Sequence, residues 1–125
     1  MTAATILVVE DNIIQREGLA VLLRQQGYTV LLAVDGDDAL NRLSGEPVPG
    51  LILLDMLIHD AHGDGWWFLQ QRQRIPSLGF VPVIIITALP VASREWAASL
   101  GAEGLIRKPF EVKPLLAEVS CCLER

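Results

Sequence analysis

LILLD (51–55) is a short apolar run that stops on a carboxylate. Runs of this length, rich in Leu, Ile and Val and bounded by polar residues, read as strands buried on both faces of a parallel sheet. The same pattern occurs three more times. TILVV (5–9) stops on Glu10 and Asp11, VIII (83–86) stops on Thr87, and LI (105–106) leads through Arg107 to Lys108 and Pro109. Parallel α/β sheets keep their chemistry at the carboxyl ends of the strands. Three carboxylates, a hydroxyl and an ammonium are therefore expected in one crevice.

The segments between these runs read as helices. Asp11 or Asn12 is placed to cap a helix reaching about Gln26, with Leu19, Leu22 and Leu23 inward and Gly27 as its stop. Gly18 inside that helix costs ~1 kcal/mol against alanine, and the sequence offers no reason for it. TVLLAV (29–34) predicts the second strand, and Gly36 to Leu43 a second helix with Ala39, Leu40 and Leu43 inward. SGEPVPG (44–50) is punctuation. A polar loop, HDAHGDG (59–65), follows Asp55. Trp66 to Gln73 predicts a third helix, with Phe68, Leu69 and one of the two tryptophans inward. FVPVIII (80–86) predicts strand four and Ser93 to Leu100 helix four, which Gly101 closes. Gly104 to Ile106 predicts strand five, and Glu111 to Leu123 a last helix with Val112, Leu115, Leu116, Val119 and Cys122 on one stripe. Five strands alternating with five helices give one α/β doubly wound domain over 1–125.

Composition excludes several function classes. The net charge of −5 argues against a built-in nucleic-acid surface and against a polybasic membrane anchor. No apolar stretch approaches the ~20 residues of a spanning helix. The first residues show neither the basic start nor the apolar core of a signal peptide, so a cytoplasmic location is expected. Cys121 and Cys122 are the two cysteines. Neighbours on a helix do not face each other, so both are read as free thiols, with Cys122 buried.

The turn after the first strand holds Glu10 and Asp11 where a nucleotide-binding fold would hold a glycine-rich phosphate loop. Two carboxylates repel phosphate unless a cation intervenes. With Asp55 beside them, the cluster is costly unless a divalent cation relieves it, and oxygen ligands suit Mg²⁺ or Mn²⁺ rather than zinc. Asp55 is then either a ligand alone or also a nucleophile toward phosphorus. An attack would need neutralisation of the phosphoryl oxygens. The metal and Lys108 could supply it, with a hydrogen bond from Thr87.

These residues carry a resemblance. VVEDN (8–12), LILLD (51–55), DGW (64–66), IIITA (84–88), GA (101–102) and KPF (108–110) resemble, in order and spacing, the receiver domain of two-component response regulators. The resemblance covers essentially the whole chain. It implies a flavodoxin-like fold with strand order 2-1-3-4-5. It implies Asp55 as phosphoacceptor, Asp11 as direct Mg²⁺ ligand, Glu10 as its water-mediated partner and the Leu57 backbone carbonyl as a further ligand. Thr87 would be the switch hydroxyl, Lys108 the phosphoryl-contacting ammonium, and Lys108–Pro109 a cis bond. Implied partners are a histidine kinase or phosphotransfer protein, and a second copy through the face of helix four, strand five and helix five. A chain ending near Arg125 fits a stand-alone receiver or the first domain of a longer regulator or hybrid kinase.

The chain departs from the family pattern in three places. Asp64–Gly65 falls two residues later than usual, so the HDAH segment (59–62) beside Asp55 carries a two-residue insertion. It reads first as a solvated loop. A sharper alternative has His59 or His62 orienting water or adding a metal ligand. Leu105 stands where a switch Tyr or Phe is usual, which puts the relay to the output face in question. Leu57 and Leu89 occupy the positions two beyond Asp55 and Thr87, where side chains tune dephosphorylation.

Two other readings compete. A haloacid-dehalogenase-type hydrolase would need a second Asp at position 57, which is Leu. A receiver-like interaction domain that takes no phosphate conflicts with the intact acidic pair, acceptor, Thr and Lys. Apolar side chains at 57 and 89 cannot position an attacking water. Slow self-hydrolysis of the aspartyl phosphate is therefore predicted. Loss of the phosphoryl group followed by mass would show it, and a half-life of seconds would overturn it.

Overall fold

The computed structural model describes residues 4–45, 47–58 and 63–124. The predicted insertion residues His59 and His62 lie outside them. Chain order is β1 (Thr5–Val9), α1 (Ile13–Gln25), β2 (Thr29–Ala33), α2 (Gly36–Gly45), β3 (Leu51–Asp55), α3 (Gly65–Gln73), a 3₁₀ turn (Pro76–Leu78), β4 (Val83–Thr87), α4 (Arg94–Ser99), β5 (Gly104–Arg107) and α5 (Val112–Leu123). The five strands form one parallel sheet in the order β2-β1-β3-β4-β5. Every residue of β3 and β4 is buried, as two-faced coverage requires.

Alternation along the strands divides the core in two. Ile6, Val8, Leu53 and Ile84 pack with Leu19 and Leu23 of α1 and Leu115, Val119 and Cys122 of α5. Leu7, Val9, Leu54 and Ile85 pack with Ala39 of α2, Phe68 and Leu69 of α3 and Ala97 of α4. Cys121 is exposed and Cys122 buried.

Helix ends follow local chemistry. Asn12, not Asp11, caps α1, its Oδ1 accepting the Gln15 N–H at 3.0 Å. At the other end Gly27 has φ +93°. Its N–H donates to Arg24 O at 2.9 Å while the Tyr28 N–H donates to Leu23 O at 3.3 Å. That pair of bonds satisfies the last carbonyls and needs a left-handed residue. Asp64 caps α3 through the Trp67 N–H at 2.9 Å, so the helix begins at Gly65, one residue earlier than predicted. A Cβ on Gly65 would lie 2.7 Å from Met56 Cα, which holds the start of α3 against the end of β3.

Two expectations need correction, and one buried residue was missed. Strand four begins at Val83, not Phe80. Phe80 is 96% exposed, and the chain before it turns back in the 3₁₀ segment, with the Val81 N–H donating to Leu78 O at 3.2 Å. Val112 is exposed, because α5 begins there and its buried stripe starts at Leu115. Arg72, which the sequence did not single out, is 4% exposed. Its guanidinium donates to Val81 O at 2.5 Å and so ties the end of α3 to the turn before β4. Burial lowers its pKa from the ordinary value.

Gly18 meets no packing constraint: a Cβ there would find nothing within 4 Å. Gly18→Ala should raise unfolding stability by roughly 0.5–1 kcal/mol through helix propensity, read as a higher urea midpoint. A lower midpoint would show a constraint at Gly18 that these contacts do not reveal.

Candidate functional site

The strand register fixes which residues meet. Val9 of β1 is level with Leu54 of β3, so Glu10 and Asp55 leave the sheet side by side. Asp55 is level with Ile86, and Thr87 with Arg107. Thr87 and Lys108 therefore follow at the same edge. Lys108–Pro109 is cis, and the Lys108 N–H donates to Thr87 O at 2.9 Å.

A cavity of about 460 Å³ opens at this edge, with Glu10, Asp11, Asp55, Leu57 and Lys108 in its wall. Glu10 is fully buried and Asp55 is 3% exposed. Lys108 Nζ donates to Glu10 Oε1 at 2.7 Å and to Asp55 Oδ2 at 3.0 Å. The other Asp55 oxygen, Oδ1, accepts the Leu57 N–H at 3.0 Å. Arg16 on α1 ties down the first turn, its Nη1 donating to Glu10 O at 2.9 Å and Asp11 O at 3.3 Å.

Burial pushes the Glu10 carboxyl up from 4.5 to about 7, with the neighbouring Asp55 acting in the same direction and Lys108 against it. For Lys108, burial acts to lower the pKa, but the bonds to Glu10 and Asp55 outweigh it and the net shift is upward. The ammonium therefore stays charged at neutral pH.

Glu10, Asp11 and Asp55 each offer a carboxylate oxygen, and these oxygens lie within 4.8 Å of one another. An all-oxygen, strongly acidic donor set fits a hard divalent cation. Glu10 and Asp55 are buried around one shared ammonium, and such an ion would offset the negative charge gathered there.

Thr87 is placed differently. It is fully buried, is absent from the cavity wall, and its Oγ1 accepts the Leu89 N–H at 3.2 Å. Alternation explains this: Ile86 packs with α1 and α5, so Thr87 faces the other layer. Leu105 packs inward at 9% exposure in the α2–α4 layer, and Leu89 is half-buried against it. Trp66 of α3 meets Trp96 of α4 edge-on, centroids 6.4 Å apart. Asn12 and Gln15, which sequence reasoning had not placed at the site, also line the cavity. Their spacing is that of a helix N-cap and its third residue, which brings both side chains to the end of β1.

Comparisons with known proteins identify the family. The family model described as "Response regulator receiver domain" matches residues 6–120. The phosphate regulon transcriptional regulatory protein PhoB of Escherichia coli (strain K12) is 36% identical over 124 residues, covering 98% of this chain and 53% of PhoB. The alkaline phosphatase synthesis transcriptional regulatory protein SphR of Synechococcus elongatus is 31% identical, covering 98% of this chain and 50% of SphR. The chain thus spans about half the length of these curated relatives. Among solved structures, a putative response regulator from Chloroflexus aurantiacus matches with a TM-score of 0.88 and 27% identity, covering 98% and 99% of the two chains. The signal receiver domain of a histidine kinase from Syntrophus aciditrophicus matches with a TM-score of 0.83 and 32% identity, covering 98% and 91%. The sheet order, the acidic cavity and the family match over nearly the whole chain together establish that this chain belongs to the response regulator receiver domains of two-component signalling systems.

Proposed function

We propose that the chain accepts a phosphoryl group on Asp55 from a histidine kinase or phosphotransfer protein, with Mg²⁺ as cofactor and Mn²⁺ as an acceptable substitute. The observation that carries this reading is Asp55 itself: a buried carboxylate in an open cavity, flanked by two further carboxylates and held by an ammonium. A carboxylate oxygen of Asp55 attacks phosphorus, the bond from phosphorus to the donor's nitrogen or oxygen breaks, and the donor leaves with that electron pair. Lys108 already bonds Asp55 and is placed to follow charge onto a phosphoryl oxygen. Glu10, Asp11, Asp55 and the Leu57 carbonyl are the proposed metal-binding set. The bound ion would supply charge neutralisation for the incoming phosphoryl group.

Thr87 is proposed as the hydroxyl that answers phosphorylation. Its present bond is to the Leu89 N–H, so a turn toward the cavity would exchange that contact for a phosphoryl oxygen. A second copy of the chain is the further proposed partner, through the α4–β5–α5 face. There Arg94 already pairs with Glu118 at 2.9 Å, joining α4 to α5. The proposed setting is the cytoplasm. No helix of the described residues is long and apolar enough to cross a membrane.

Incubation with acetyl phosphate and Mg²⁺ should add one phosphoryl group by intact mass, absent in Asp55→Asn and without added metal. No gain and no binding of beryllofluoride would instead favour an interaction domain that takes no phosphate.

Glu10 gives the site a pH dependence. Its folded value of about 7 lies above the ordinary 4.5, so the metal-free folded chain holds that proton more tightly than the unfolded chain. The stabilisation is complete below about pH 4.5 and is lost as pH rises through about 7. Without metal, the unfolding midpoint should fall from about pH 5 to about pH 8 more steeply in the parent than in Glu10→Gln. Mg²⁺ requires ionised carboxylates, so its stabilising effect should be larger near pH 8 than near pH 6. Parallel midpoint profiles for parent and variant would remove Glu10 as the titrating group.

A further inference from the structure

Lys108 makes a third hydrogen bond that the chemistry above does not use. Besides Glu10 and Asp55, its Nζ donates to Gln15 Oε1 at 2.5 Å. An ammonium carries three N–H donors and no acceptor. All three hydrogens are therefore committed, and the Gln15 atom facing them has to be its carbonyl oxygen.

The start of α1 explains why Gln15 is available. Asn12 is the N-cap, and Gln15 is the third residue of the helix. In a capping box the glutamine at that position folds back and accepts the N–H of the cap residue. Here the Asn12 N–H donates to Glu10 Oε2 at 3.3 Å instead. Glu10 thus serves both the helix and the ammonium, one oxygen for each. With its usual donor taken, the Gln15 side chain reaches across the cavity mouth to Lys108, from a position 93 residues earlier in the chain.

We propose that Gln15 is a positioning residue for phosphoryl transfer, holding the Lys108 ammonium from the solvent side while Glu10 holds it from the buried side. The reading rests on Asp55 being the phosphoacceptor. A lysine has a long side chain with many rotamers, and fixing its head group carries an entropic cost. Two anchors that do not react meet that cost before the phosphoryl group arrives. The third hydrogen, now on Asp55 Oδ2, is the one free to move to a phosphoryl oxygen.

Gln15→Met keeps the length and removes the acceptor; Gln15→Glu keeps an acceptor. Neither touches the Gln15 N–H that Asn12 caps. Two quantities are measured: the ¹⁵N signal of the Lys108 ammonium, assigned with Lys108→Arg, and the rate of phosphoryl gain from acetyl phosphate with Mg²⁺. In Gln15→Met the ammonium signal should weaken through faster hydrogen exchange. Phosphoryl gain should slow by roughly three- to tenfold, the scale of one charged hydrogen bond at a partly exposed site, with the thermal midpoint unchanged. Gln15→Glu should restore the ammonium signal. A parental signal and rate in Gln15→Met, or slowing that only tracks lost stability, overturns the proposal while phosphorylation of the parent stands. A parent that gains no phosphoryl group overturns the Asp55 reading and this one with it.

Discussion

Glu10 and Asp55 leave adjacent parallel strands at the same level, both buried, with the Lys108 ammonium bonded to each. Two like charges about 4 Å apart repel by about 4 kcal/mol at the effective dielectric typical near a protein surface. Asp11 adds a third negative group. Lys108 bonds both Glu10 and Asp55, and the site has two further ways to lower the energy of this crowded negative charge. It can keep a proton on Glu10, which is the direction in which burial pushes that group. It can also take up a divalent cation. The same crowded charge therefore shapes both the behaviour of the metal-free chain and its readiness for Mg²⁺ and phosphate.

The parallel sheet makes this arrangement inevitable once the sequence is known. The strands that carry the site run apolar almost to their carboxyl ends, so the polar residues that follow mark one edge of the sheet. That is why Glu10, Asp55, Thr87 and Lys108 could be placed at one edge from the sequence alone. Alternation then decides the rest. Asp55 follows Leu54 and turns toward the α1 and α5 side, whereas Thr87 follows Ile86 and turns toward the other layer. The sequence could not show that Thr87 stands outside the cavity wall, because that depends on which layer each strand residue packs against.

The readings that failed depended on local chain direction rather than composition. FVPV (80–83) has the apolar content of a strand, but the 3₁₀ turn at Pro76–Leu78 and its bond to Val81 redirect the chain, and Phe80 faces solvent. Arg72 was invisible for the complementary reason. A charged residue near a helix end reads as exposed, and the carbonyls of Val81 and Gly79, brought in by that same turn, give its guanidinium acceptors. Leu105, which stands where a switch aromatic is usual, packs inward because β5 places it against the α2–α4 layer.

The first turn of α1 was half legible. Asn12 and Gln15 at that spacing announce a capped helix, and the cap is present. What no local pattern shows is that Glu10 supplies the acceptor a capping box would draw from Gln15. That substitution depends on Glu10 being held in place by Lys108, nearly a whole chain away. The stability of the α1 start and the geometry of the site therefore share atoms. A change that loosens Glu10 would release the Asn12 N–H and allow Gln15 to fold back to it, and Lys108 would then lose two anchors together. Helix capping and charge placement, which are separate matters in most of the fold, are here one coupled network.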